Sequence, residues 1–274
     1  MNILFCGDQH AEDGVLISTL SLLKNTNEEL HLYVLTMELP GKQYQPFSKH
    51  AADFIRSLLV EKNKNNTLEL IDCSRLFVKQ PPTANMGTRF TPYAMLRLFA
   101  DQLPQIPDRV LYLDDDIIIR KDISAFYHQD LGHMEIVGIL DYWGRFFFHN
   151  WKSKRVFDYM NSGVLLFNMP EIKQTKLFAK VRHMMQVKKM FLPDQSAINK
   201  LAVRKRIAPR KYNEQYHLRP DTMIQHFTTS FRFKPYFHTL TVKPWDVERV
   251  HSVLHLHEYD DLLEQYLNLK NKLS

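Results

Sequence analysis

Over its first 71 residues the chain alternates short apolar runs with amphipathic stretches, and that rhythm restricts the fold more than any single motif. Residues 2–6 read as a strand, and Val15, Leu16, Leu20 and Leu23 recur at helical spacing to about Asn25. Residues 31–37 return as a strand and 42–61 as an amphipathic helix. Residues 67–71 form a third strand after the basic, Asn-rich turn at 62–66. The β-α-β-α-β order predicts a parallel sheet with helices on both faces. A loop at 73–90 has a length more often functional than incidental. A helical stretch at 92–103 then leads into a strand at 109–119. Residues 137–140 and 164–167 are further strands, flanking the aromatic-rich segment 141–159. That segment reads either as a cover over a substrate or as a flap packed on the core. Helices at 171–189 and 194–203, strands at 206–210 and 222–227, and two short helical patterns within 247–269 complete the chain. The expected organisation is one domain over 1–246 with a C-terminal helical appendage at 247–274.

Composition excludes several classes. At 45% hydrophobic and 24% charged residues the chain is an ordinary globular sequence. A net charge of +6 is too small for a nucleic-acid-binding protein. Its cations do gather at 173–189 and 200–211, which would turn a basic face to an anionic membrane or a nucleotide. Cys6 and Cys73 make no disulfide framework and lack zinc spacing, which fits a reducing compartment. The first residues carry no basic n-region, and no apolar run approaches the roughly 20 residues of a membrane span. A cytoplasmic protein, at most peripheral to the inner face of a membrane, is expected. Among eight glycines there is no G-x-G-x-x-G, no Walker lysine loop and no G-x-S-x-G elbow. Dinucleotide, P-loop and nucleophile-elbow serine chemistry are therefore disfavoured.

The chemistry concentrates at Leu111-Tyr-Leu-Asp-Asp-Asp-Ile-Ile-Ile119, three carboxylates between two apolar runs. A buried strand that stops on acids delivers them to the carboxyl edge of a sheet, where open α/β folds bind ligands. On an extended chain Asp114 and Asp116 point to one side and Asp115 to the other. That pair makes a two-pronged oxygen site for a hard divalent cation, which in turn holds a diphosphate. Taken alone, the run is equally well an acidic turn or an Asp cap. Asp8, Asp141, Asn161, Asp194 with Gln195, and His226 also sit at the ends of apolar runs, and together they describe one polar cleft.

In order along the chain, these segments resemble glycosyltransferase family 8, the retaining sugar-nucleotide transferases that include lipopolysaccharide galactosyl- and glucosyltransferases and glycogenin. Ile3-Leu-Phe-Cys-Gly-Asp8 resembles the family's first strand and uracil-binding loop. Arg97 precedes Asp114 at the separation of the family's donor-binding Arg, and Val110-Leu-Tyr-Leu-Asp-Asp-Asp116 is similar to its VLYLDxD segment. Asn161-Ser-Gly-Val-Leu-Leu-Phe-Asn168, Pro193-Asp-Gln-Ser-Ala-Ile-Asn199 and Lys243-Pro-Trp245 resemble its FNSGVLL-N, DQ-x-x-x-N and KPW motifs. The resemblance covers about residues 2–246. It implies an α/β fold: a single Rossmann-like nucleotide-diphospho-sugar transferase domain of the GT-A type, with a C-terminal helical extension. It also implies metal-dependent transfer of a hexose (glucose, galactose or N-acetylglucosamine) from a UDP-sugar to a glycan, glycoprotein or lipid-linked saccharide.

The roles carried over follow the chemistry of a diphosphate leaving group. Asp114 and Asp116 would hold Mn²⁺ or Mg²⁺, and Lys243 would neutralise the β-phosphate. Asp8 would accept from the uracil imide, with His10 and the main chain of Cys6 beside it, and Asp115 would meet the ribose. Asp141, Asn161, Ser162, Arg97, Asp194 and Gln195 would surround the sugar. Gln195 would lie under the β face of the anomeric carbon, favouring same-face attack over a covalent intermediate, with Asp194 the alternative nucleophile. The third metal ligand stays open. The family's H-x-x-G-x-x-KPW is broken here: position 237 is Phe, His238 precedes Lys243 by five residues and the Gly is missing. His226, in Met223-Ile-Gln-His-Phe-Thr228, resembles the family's I-x-H-F-T but lies 17 residues before Lys243. His226 is favoured over His238. Two rival readings remain, a catalytically inactive sugar-nucleotide-binding scaffold subunit and a metal-dependent phosphotransferase. The second wants a nucleophilic Asp followed by D-x-T, which Asp114-Asp-Asp-Ile117 does not supply.

Overall fold

The structure, a computed structural model, describes residues 1–39, 44–86, 92–144, 149–150, 155–156, 158–232 and 236–273. Residues 145–148, 151–154 and 157 of the aromatic-rich segment, and 87–90 of the loop expected at 73–90, lie outside them. Thirteen strands are described: β1 (Asn2–Cys6), β2 (His31–Thr36), β3 (Thr67–Asp72), β4 (Arg109–Leu113), β5 (Ile117–Ile119), β6 (Ile136–Leu140), β7 (His149–Asn150), β8 (Arg155–Val156), β9 (Met160–Asn168), β10 (Lys205–Ala208), β11 (Ile224–His226), β12 (Ser230–Arg232) and β13 (His238–Leu240).

Seven of them form one sheet in the order β10-β6-β9-β4-β1-β2-β3. Its central strands are covered on both faces, so Ile3, Leu4, Phe5, Val110, Leu111, Val164, Leu165 and Leu166 are all fully buried. They read as unbroken apolar runs for that reason. The edge strand β3 is covered less: Leu68 and Ile71 are buried, whereas Thr67, Glu69 and Asp72 are exposed. The parallel sheet predicted from the first three strands holds for β1, β2, β3 and β4. It does not hold for the whole: β9 runs antiparallel to both neighbours, β4 and β6. A mixed sheet results.

The expected strand at 109–119 is two strands. β4 belongs to the main sheet, whereas β5 pairs antiparallel with β11 in a small second sheet, and Asp114–Asp116 make the turn between them. The expected helix at 171–189 is likewise broken in two, Met169–Thr175 and Leu177–Val187, by Lys176 at φ 56°. A lysine is no sequence signal for a left-handed residue, so nothing in the apolar spacing marks the break. The helix expected from 42 begins at Lys49, where the Ser48 hydroxyl accepts from Ala51 N and supplies the N-cap.

The C-terminal segment forms helices Val247–Ser252 and Asp260–Leu269. Leu262, Leu263 and Tyr266 are buried in the same apolar cluster as Val15, Leu16 and Leu20 of the helix Glu12–Asn25. The Tyr266 hydroxyl donates to Asp13 Oδ1 at 2.8 Å. No described helix is long and apolar enough to cross a membrane.

Candidate active site

β9 is the hub of the site, because its first residues are read from both sides. Asp114 N donates to Gly163 O at 2.9 Å, which seats the acidic turn against β9. On the other side Asp141 N donates to Tyr159 O, and the register between β6 and β9 shifts at Gly138/Ile139. Such a bulge re-aims the side chains beyond it, and here Asn161 and Asp141 come together. The helix Pro193–Leu201 is fastened to the same strand by Asn199, whose amide accepts from Met160 N and donates to Met160 O, both at 2.7 Å. That anchorage explains the DQ-x-x-x-N spacing: Asn199 clamps the helix, and Asp194 and Gln195 in its first turn face the cleft.

The residues expected around the sugar make one network. Gln195 Oε1 accepts from Ser162 N at 3.0 Å and Ser162 Oγ at 3.2 Å, and Gln195 Nε2 donates to Asp141 Oδ2 at 3.2 Å. The same Asp141 oxygen accepts from Asn161 Nδ2 at 3.0 Å. Asp141 Oδ1 accepts from the main chain of Trp143 and Gly144. Arg97 is not a solvated charge on a helix face, since it is 2% exposed. It donates to Ser162 O at 2.5 Å and lies 3.3 Å from Asp114 Oδ1 and 3.4 Å from Asp194 Oδ2, with its guanidinium 3.9 Å from the Tyr112 ring centroid. Burial pushes the Asp194 carboxyl up from its ordinary value, with Arg97 opposing.

The acidic turn meets one histidine. The β5–β11 register sets His226 opposite Ile117, next to Asp116, and Phe227 N donates to Asp116 O at 2.9 Å. His226 Nε2 therefore sits 3.0 Å from Asp116 Oδ1 and 3.8 Å from Asp114 Oδ2. One donor atom from each of Asp114, Asp116 and His226 lies within 4.8 Å of the others. Lys243 closes the cluster by pairing with Asp116 Oδ2. Burial opposes charge on Asp116, but His226 and Lys243 outweigh it and hold the carboxyl well below the ordinary carboxylate range. Burial and the adjacent Asp116 push Asp115 up to about 7. Burial lowers the His226 imidazole, and the Asp116 charge more than offsets this, raising it.

His238 does not join the cluster. It lies on β13, half-buried, with its Nδ1 bonded to Tyr236 O, on a hairpin with β12. The pairing of β11 with β5 is what brings His226, and not His238, to the carboxylates.

The residue set fits a hard divalent cation. It offers two carboxylates and an imidazole, and the main chain makes room for them at Gly163. A Cβ there would fall 2.3 Å from His226 Cε1 and 2.7 Å from Asp114 Oδ2. Gly14 does the same behind the turn, where a Cβ would meet Asp115 O at 2.3 Å and the Trp245 ring at 2.8 Å. Trp245 thus packs close to the acidic turn, against the apolar core, two residues after Lys243.

Among the residues expected at the uracil, Cys6 closes β1 and Asp8 caps the short turn Gln9–Ala11 by accepting from His10 N at 3.1 Å. Asp8 is 5% exposed, and its Oδ2 has no hydrogen-bond partner among the described residues. A buried acceptor left open in this way awaits a donor. His10 stands beside it with its side chain 81% exposed. The basic strip at 200–211 is largely committed internally: Arg204 to Glu171, Lys205 to Asn199 and Arg210 to Glu214.

Three contributors escaped the sequence reading. Tyr112 donates to Asp114 Oδ1 at 2.5 Å, Gly163 clears the space just described, and Asn213 bridges Asn161 and His226. Asn213 follows the end of β10 by five residues. A polar residue shortly after a strand was the usable signal.

Comparison with known proteins agrees with this architecture. The family description "Glycosyl transferase family 8" matches residues 2–248. The chain is 27% identical over 245 residues to the lipopolysaccharide 1,3-galactosyltransferase of Salmonella typhimurium, covering 85% of this chain and 68% of that protein. It is 24% identical over 235 residues to the lipopolysaccharide 1,2-glucosyltransferase of Escherichia coli, covering 81% and 64%. Among solved structures, the galactosyltransferase LgtC in complex with donor and acceptor sugar analogues superposes with a TM-score of 0.68 at 18% identity, over 99% of this chain and all of that one. The glycosyltransferase GlyE of Streptococcus pneumoniae gives 0.62 at 21% identity, over 98% of this chain and 64% of that one. With the match running almost the whole length and the motif residues gathered into one cleft, the chain belongs to glycosyltransferase family 8, the retaining sugar-nucleotide transferases of the GT-A fold.

Proposed function

We propose that the protein transfers a hexose from a UDP-sugar to a saccharide acceptor with retention of configuration, using Mn²⁺ or Mg²⁺ held by Asp114, Asp116 and His226. The observation that carries this reading is the convergence of those three side chains with Lys243 on a single point. A divalent cation bound there supplies Lewis-acid neutralisation of the departing diphosphate. Lys243, paired with Asp116, would add its positive charge to the β-phosphate as the leaving group gains charge. The Gln195 amide oxygen already accepts two hydrogen bonds. A saturated amide is a poor nucleophile, which supports attack from the leaving-group face. Asp194, desolvated and paired with Arg97, is the alternative nucleophile.

The donor is glucose, galactose or N-acetylglucosamine, and a thermal-shift screen of the three UDP-sugars names it. The acceptor is a glycan, glycoprotein or lipid-linked saccharide at the cytoplasmic face of a membrane. Support for a saccharide comes from the rings beside Asp141: Tyr142 stacks on Tyr216 with centroids 4.7 Å apart, and Trp143 meets Phe231 edge-on at 5.1 Å. UDP-sugar hydrolysis, assayed with Mn²⁺ and with EDTA, tests the whole reading. Turnover that survives chelation removes the metal from it, and absence of turnover with every donor favours a scaffold.

Two further results are expected. UDP should bind at least about 10²-fold more tightly than CDP, because the open Asp8 oxygen matches the N3–H of uracil and faces a lone pair in cytosine. A mismatched buried polar group costs roughly 1–3 kcal/mol, and more when charged. Calorimetric affinities that are equal for the two nucleotides refute the Asp8 assignment.

The second result concerns pH. His226 must be neutral to ligate, and its folded-state value is raised. Charged His226 stabilises the metal-free fold below about 6.5, the unperturbed value, and that contribution is lost as pH rises through the raised one. Metal affinity runs the opposite way. Below the raised value it should fall about tenfold per pH unit, with release of about one proton on binding. Calorimetry in buffers of different ionisation enthalpy reads that proton directly, and zero release removes His226 from the ligand set.

A further inference from the structure

We infer that Asn213 is a positioning residue for the metal centre: its side-chain carbonyl holds the His226 imidazole with the proton on Nδ1, so that the Nε2 lone pair faces Asp114 and Asp116. This rests on the metal-centre reading above and adds a residue that touches neither metal nor substrate.

A chain of hydrogen bonds, its direction fixed at one end, runs from Asp141 to His226. Asp141 Oδ2 accepts from Asn161 Nδ2 at 3.0 Å. A carboxylate oxygen offers no proton, so Asn161 must present its NH₂ group there. The Asn161 carbonyl then faces away, and it accepts from Gly163 N at 2.9 Å. A main-chain N–H can only donate, so the Asn161 amide is oriented from both ends. The same Asn161 oxygen lies 3.0 Å from Asn213 Nδ2, which must therefore donate. That leaves Asn213 Oδ1 against His226 Nδ1, at 3.1 Å. A carbonyl only accepts, so Nδ1 carries the proton.

The consequence falls on the other ring nitrogen. In a neutral imidazole with Nδ1–H, Nε2 is an acceptor. It stands 3.0 Å from Asp116 Oδ1, also an acceptor. Two acceptors at that distance repel unless a proton, as in the charged ring, or a metal cation lies between them. The opposite tautomer would satisfy Asp116 with Nε2–H and leave no lone pair for a metal. Asn213 is 0% exposed, so no solvent competes for Nδ1. An oriented second partner of this kind usually carries 10–100-fold in metal affinity. Because Asp141 also takes Gln195 Nε2, the sugar pocket and the metal ligand are opposite ends of one directional chain.

The test begins with wild-type protein labelled with ¹⁵N-histidine, at a pH where the ring is neutral. Long-range ¹H–¹⁵N correlation should show His226 protonated on Nδ1, and finding Nε2–H overturns the inference before any variant is made. Asn213→Asp keeps an acceptor against Nδ1 and should keep the tautomer and most of the Mn²⁺ affinity measured with UDP present. Asn213→Leu is similar in size but cannot accept, and should lose the tautomer preference together with about 10–100-fold in Mn²⁺ affinity. Thermal unfolding of both variants shows whether they fold. A folded Asn213→Leu protein with wild-type Mn²⁺ affinity overturns the inference. Failure of the wild type to bind Mn²⁺ with UDP is a separate result, which brings down the metal-centre reading and this role with it.

Discussion

Asp116→Asn should lower UDP-sugar turnover by at least about 10³-fold while leaving the circular dichroism spectrum unchanged. The carboxylate is 4% exposed and touches both His226 and Lys243, so its charge organises the cluster in which it is a candidate metal ligand. An amide keeps the shape and loses the charge. Lewis-acid stabilisation of a leaving group is worth several kcal/mol, and each 1.36 kcal/mol is tenfold in rate. The substitution also leaves the Lys243 ammonium without its anion, which adds a stability cost of its own. Asp114→Asn should lose activity too, with an additional loosening of Arg97 and Tyr112, both of which hold Asp114 Oδ1. Steady-state rates at saturating Mn²⁺ check both. Turnover within tenfold of wild type for Asp116→Asn would falsify its place in the site.

Gly163→Ala should damage the same centre without removing any ligand. The added methyl would sit 2.3 Å from His226 Cε1, 2.7 Å from Asp114 Oδ2 and 2.9 Å from His226 Nδ1. None of these has room to retreat: His226 is locked by β11 and Asn213, and Asp114 by Arg97 and Tyr112. Overpacking a filled site costs about 1–3 kcal/mol. The two ligands should be driven apart, with Mn²⁺ affinity in the presence of UDP falling more than about tenfold. A titration that matches wild type would mean the cation is bound somewhere other than this cradle.

These two residues also show what could and could not be read along the chain. Asp114 and Asp116 were legible because an apolar run stops on them, and burial forces that pattern into the residues themselves. Gly163 stood in a recognisable Asn-Ser-Gly segment, but its reason lies in atoms of β11 and the acidic turn that no local pattern mentions. The direction of β9 was equally hidden. A strand's residues report that it is buried on both faces, not which way it runs, and here one reversed strand places Asn161, Ser162 and Gly163 between the two halves of the site.

The choice between His226 and His238 has the same origin. Along the chain His238 stands nearer Lys243, and short loops bring sequence neighbours together. In space β11 pairs with β5, giving His226 the position beside Asp116, while His238 is carried off on the β12–β13 hairpin. Asn213 likewise is marked along the chain only as a polar residue shortly after β10, and nothing local says that it meets His226.

By itself the sequence determined the α/β class, the family, the acidic turn and the polar strand ends, because each is written as local periodicity or as a contiguous motif. The tertiary structure alone decided which histidine meets the carboxylates, why Gly163 must lack a side chain, and how Asn213 orients the ring. Those depend on strand pairing between residues far apart in the chain, and pairing is fixed by the packing of the whole sheet rather than by any segment within it.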